Sequence, residues 1–186
     1  MTLTATTPAL KEWSAAVHAL LDGRQYVLLR KGGIKEKRFE VAAPEFLLFP
    51  TVAHSHEDRV RTEHRDLLAP AAADSAEDRL VIRAAAKVVA ALAVNRPEWL
   101  EEIEDLHIWT AESVRADRLD FRPKHKLAAL VVSVTPLLEP LVLTRIPEYG
   151  GCTSWVQLPA RPALGAPIHD DVVLAGVAAR VRDAVG

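Results

Sequence analysis

The chain has 186 residues, 49% of them hydrophobic and 26% charged, a composition that supports a packed core and excludes a disordered or fibrous protein. Cys152 is its one cysteine, which excludes an intrachain disulfide and a cysteine-rich metal centre. The formal net charge of −2 gives no overall attraction to polyanions, so any contact with nucleic acid has to come from a local patch. Met1 to Pro8 is polar and has neither a signal-peptide core nor the length of a membrane span. A cytoplasmic protein without membrane contact is expected.

Thr7 and Pro8 read as N-cap and first helical position, and Leu10, Trp13, Val17, Leu20 and Leu21 recur at helical spacing up to Gly23, so one amphipathic helix is predicted there. Tyr26 to Leu29 reads as a strand that turns at Lys31, Gly32 and Gly33, and Phe46 to Phe49 as a second strand ended by Pro50. His54 to Asp66 is almost wholly polar and predicts a solvated loop or an exposed helix. Leu80 to Val94 is apolar without a decisive period, and its alanines favour a helix. Asn95 and Glu98 around Pro97 form a capping-box pattern that starts a helix carrying Trp99, Ile103 and Leu106.

The last third changes character. Leu127 to Val134, Leu141 to Ile146 and Trp155 to Leu158 are apolar runs divided by Pro136, Pro140, Pro147, Gly150 and Gly151, the pattern of an antiparallel meander. A closing helix is predicted from about Asp170 to Ala184, with Val173, Leu174, Val177 and Val181 at helical spacing. No repeat or linker divides the chain, so residues 1–186 are expected to form a single domain.

Several whole strings carry a resemblance. LLRKGGIKEKRFEV at Leu28 to Val41, FLLFPT at Phe46 to Thr51 with His54 beyond, LHIWT at Leu106 to Thr110 and RIPEYGGCTSWVQL at Arg145 to Leu158 resemble the blocks of domain-of-unknown-function family 1802 over nearly the whole chain. Members of that family occur beside restriction-type nuclease domains, which implies a link to restriction and modification of DNA and brings no catalytic residues. The segment from the first helix through Gly23, Arg24 and the strand ending in Arg30 is similar, more distantly, to the opening of the ASCH group of PUA-like β-barrels. That likeness implies binding of RNA or modified bases. Leu28 stands where the ASCH pattern has a glutamate, which speaks against an enzyme activity of that kind.

Two stretches are dense in cations. Arg30, Lys31, Lys35, Lys37 and Arg38 face only Glu36, and Gly32 and Gly33 allow backbone amides to approach an anion. Arg115, Arg118, Arg122, Lys124 and Lys126 form the second, with Trp109 and Phe121 as stacking candidates. Together they could line a groove for a phosphate backbone; the competing reading is a pair of solvated faces that serve solubility. At the Tyr149 to Trp155 block, two glycines and Trp155 suit either a base pocket or an ordinary turn with Trp155 in the core.

His54, His56 and Asp58 form an H-x-H-x-D string that resembles the metal loop of the metallo-β-lactamase fold, but Arg59 replaces the next histidine. No phosphate-binding loop, dinucleotide fingerprint, nucleophile elbow or H-E-x-x-H helix is present in the sequence, and no cofactor is expected. The expectation is an α+β fold with a small, mostly antiparallel sheet or a PUA-like barrel and flanking helices. Its expected function is a nucleic-acid-binding accessory module, with DNA or RNA as partner and Arg24, Arg30, Lys31, Lys35, Arg38 and Trp155 as contacts. The alternatives are a metal-dependent nuclease or other hydrolase using His54, His56 or Glu45, and a structural interaction protein.

Overall fold

A computed structural model describes residues 5–32 and 39–186. Its centre is a six-stranded mixed sheet of β1 (Thr7–Trp13), β2 (Val27–Lys31), β3 (Glu45–Thr51), β4 (Arg79–Ala93), β5 (Leu127–Thr144) and β6 (Trp155–Leu158), in the order β2-β5-β4-β3-β1-β6. Only β1 and β3 run parallel; every other pairing is antiparallel. Around it lie α1 (Ser14–Leu21), α2 (His56–Arg59), α3 (Leu68–Ala73), α4 (Ala111–Val114) and α5 (Asp171–Val185). This is an α+β fold. The alternative of a closed barrel is not formed, because β2 and β6 remain the two edges of the sheet.

The sheet nevertheless curls strongly. Three strands separate β2 from β1, a span of about 19 Å across a flat sheet at about 4.8 Å per strand, beyond the reach of any side chain. Yet Arg30 of β2 donates to the Lys11 carbonyl of β1 at 2.9 Å and to Glu12 at 3.2 Å. Packing agrees with this curvature. Leu28 and Leu130 share one apolar cluster with Leu10, Phe46 and Leu48, while their neighbours Val27, Leu29, Ala129 and Val131 pack on the other face with Leu174, Val181 and Val185 of α5. The residue alternation of β2 and β5 therefore serves two cores, one inside the curl and one under the helices.

Three elements differ from the sequence expectation. The predicted helix from Thr7 is a strand as far as Trp13, and only Ser14–Leu21 is helical. β1 lies between β3 and β6, so its backbone groups are paired on both sides, and that pairing outweighs a periodicity that runs by coincidence across the strand–helix junction. The alanine-rich segment is likewise a strand, because β4 sits between β3 and β5 and Val81, Ile82, Val88 and Val89 suit a pleated surface. The two expected strands 127–134 and 141–146 are one long strand. Its register to β4 jumps from Ala84↔Pro136 to Ile82↔Leu141, so Pro140 falls in an irregularity where no ladder hydrogen bond is needed.

The meander is also corrected, since β6 pairs with β1 and not with β5. The capping box is not formed either: Arg96 is the N-cap of the 3-10 helix Pro97–Leu106 and no side chain caps it. Arg96 instead donates to the carbonyls of Asp183 at 2.6 Å and Gly186 at 3.0 Å, satisfying acceptors at the end of α5. The closing helix is as expected, with the Asp170 side chain accepting from Val173 N at 2.8 Å. Among the described residues no helix is long and apolar enough to cross a membrane.

Candidate nucleic-acid interface

The end of β2 carries Arg30 and Lys31 and leads into Gly32. The segment after α4 carries the second basic stretch in a wide helical turn, Arg115–Asp120, followed by an irregular run to Lys126. Three contacts join them. Lys31 Nζ donates to the Phe121 carbonyl, His125 Nδ1 donates to Gly32 O at 3.1 Å, and Arg118 Nε donates to Leu29 O at 3.1 Å. Two stretches about ninety residues apart in sequence thus form one surface.

Cations crowd there. Burial lowers the affinity of Lys31 for its proton, and Arg118 and Arg122 lower it further against the opposing pull of Asp120. Burial also disfavours the charged form of Arg118; Glu12 offsets that, while Arg30 and Arg59 add to it. Glu12 is buried in β1, accepts from Trp13 N at 2.8 Å, and is the carboxylate partner of Arg30. Arg59 pairs with Asp117 at 2.7 Å and stacks over Trp13 at 5.3 Å. At the rim Phe121 is 57% exposed with Arg122 over its ring, and Lys124 and Lys126 are exposed. The arrangement can hold a polyanion along the cations and stack a base on Phe121.

The crevice beneath is small. Trp13, Arg59, Trp109, Asp117 and Arg118 enclose about 10 Å³, room for one water and no more. Trp109 is 5% exposed and packs edge-on to Trp13, so it is a core residue and is not open for the stacking expected of it.

The remaining candidates fall in several places. Lys35 and Arg38, with Glu36 and Lys37, lie outside the described residues. Arg24 belongs to another cluster, bound to both carboxylate oxygens of Asp66 at 2.7 and 2.8 Å and to Asp22. Trp155 is half-buried; it stacks on Phe39, meets Phe46 edge-on and donates to Glu40 O at 3.2 Å. Because Arg30 stacks on the other partner of that row, Phe39, at 4.9 Å, Arg30 and Trp155 are linked through one phenyl ring. Arg115 lines a separate pocket beside the 3-10 helix Pro97–Leu106.

The histidine string is split by burial. His54 and Asp58 are exposed, whereas His56 is 5% exposed with its ring against Trp13 and Trp109. Burial, then Arg59, lowers its pKa to about 4. Glu45 is exposed at the start of β3 opposite Lys87. Among the described residues no three His, Cys, Asp or Glu side chains converge as a metal-binding group. Cys152 is exposed in the turn after Gly151, whose φ of +83° favours glycine.

Glu12 and Arg59 were not singled out by sequence reasoning. Glu12 falls within a segment read as helix, where an acidic residue beside Lys11 looks solvent-facing; Arg59 stands out only as the residue that breaks the histidine string.

The profile of the family described as a domain of unknown function, DUF1802, matches residues 9–180. The chain belongs to that family. No curated protein and no solved structure matches it significantly.

Proposed function

We propose that the protein is a nucleic-acid-binding accessory module, acting in the cytoplasm in a restriction-modification or RNA-modification setting. The observation that carries this reading is the joining of the two basic stretches through Lys31, Arg118 and His125, which concentrates positive charge on a chain whose net charge is −2. Phosphates would lie along Lys31, Arg122, Lys124 and Lys126, with Arg118 and Arg30 as largely buried supports, Arg30 held by Glu12. Phe121 would stack on a base.

Lys124→Glu with Lys126→Glu alters exposed side chains and leaves the internal contacts of the face in place. The double variant is expected to bind single- and double-stranded DNA and RNA at least about tenfold more weakly, and to flatten the plot of log affinity against log salt by about one for each phosphate contact removed. Fluorescence anisotropy at several salt concentrations checks this. An unchanged affinity and slope would remove the assignment. Phe121→Ala is expected to cost about 1–3 kcal/mol of binding to single strands.

A further inference from the structure

A pocket of about 310 Å³ lies between the 3-10 helix Pro97–Leu106 and the helical segment that starts at Ala111, on the side where Arg115 points. Its floor is Leu100, Val114 and Leu119, and its rim carries Glu98, Glu101 and Glu104. Glu98 and Glu101 stand one turn apart on the first stretch of the 3-10 helix, and Glu104 follows the break in that helix at Ile103, where φ is −121°; all three line the same pocket. None of the three forms an ion pair among the described residues, whereas Asp105 on the same helix is paired with Arg180 at 2.6 Å.

A second observation points into the same space. His107 is 3% exposed and lines the pocket. Its Nδ1 accepts a hydrogen bond from Trp109 N at 3.1 Å, which places the ring proton on Nε2. That Nε2–H has no partner among the described residues, so a nine-tenths buried side chain offers a free donor to whatever enters.

We propose that this pocket binds a peptide segment of a partner protein that presents a lysine or arginine next to an apolar residue. The apolar side chain covers Leu100, Val114 and Leu119. The cation meets the three glutamates, and a peptide carbonyl accepts from His107 Nε2. Three glutamates against the one lining arginine, Arg115, leave a net negative charge over an apolar floor, which selects a cationic, amphipathic partner and disfavours nucleic acid, so this site is distinct from the basic face.

The capped peptide acetyl-Leu-Lys-Leu-amide tests the proposal by titration into isotope-labelled full-length protein at low salt. Chemical-shift changes are expected at residues 98–119, including the His107 ring. Replacing Glu98, Glu101 and Glu104 together by glutamine, on the exposed rim where folding is preserved, should weaken binding about tenfold or more, and so should changing the peptide to acetyl-Leu-Glu-Leu-amide. His107→Phe should weaken it while leaving the preference for lysine over glutamate intact. The proposal is overturned if millimolar peptide moves no signal in this segment, if the triple variant binds equally well, or if n-butylamine binds as tightly as the peptide.

Discussion

Replacing Asp74 by alanine is expected to destabilise the fold by about 2–3 kcal/mol, the loss of the hydrogen bonds that His18 and Arg83 make to one buried carboxylate. Asp74 follows α3 and is 2% exposed. It accepts from His18 Nε2 of α1 at 2.6 Å and from Arg83 Nε and Nη2 of β4 at 2.6 and 2.9 Å. One carboxylate therefore ties a helix, a helix end and a central strand. Burial pushes its pKa up, but the hydrogen bonds from His18 and Arg83 outweigh that and hold it below the usual carboxylate value. A depressed folded-state pKa contributes stability that is present at neutral pH and is lost as pH falls through the carboxylate range. Urea unfolding at pH 7 checks the magnitude: a loss below about 1 kcal/mol in Asp74→Ala would put the cluster on a par with an exposed ion pair.

The second large effect is acid instability that begins well above the carboxylate range. Burial, with Arg59, lowers the His56 pKa to about 4, and burial, with Arg61 and Arg118 against Asp105, lowers that of His107 to about 3. Both stay neutral in the folded protein while the unfolded chain takes up protons near the ordinary value of 6.5. The unfolded state thus binds more protons below that pH, and stability is full above it and declines as pH falls toward 4. Two protons give a slope approaching about 2.7 kcal/mol per pH unit near pH 5. His64, also lowered by burial and Arg61, adds in the same direction. Unfolding midpoints at pH 7, 6 and 5 should fall accordingly, and His56→Gln should lower the slope between pH 6 and 5 by about 1.2 kcal/mol per pH unit, close to the one proton it removes. An unchanged slope in that variant would mean that His56 accepts its proton in the folded state.

How much of this was legible follows from where each element finds its partners. β2, β6 and α5 were readable because their local signals, a β-rich run before glycine, a Trp-Val-Gln-Leu run and an Asp170 cap, agree with their surroundings. β1 and β4 were not, because both lie inside the sheet and their neighbours come from remote segments; pairing on two sides overrode helical spacing in one and alanine content in the other. The basic stretches were visible as composition, but their meeting depends on Lys31 reaching Phe121 and on the curl of the sheet. The burial of Glu12 and His56 had no sequence signal at all, since a carboxylate beside lysine and a histidine within a polar run both read as surface.

The central claim is that nucleic acid lies on the face built from the end of β2 and residues 118–126. Acetylation of lysines by a small reagent, with and without a short single-stranded oligonucleotide at low salt, measures this directly when each lysine is quantified by mass spectrometry. Bound oligonucleotide is predicted to protect Lys124, Lys126 and Lys31, while Lys87, exposed on β4 opposite Glu45, keeps its reactivity. Equal reactivity of Lys124 and Lys126 in the two states, or protection at Lys87 in their place, would contradict the account.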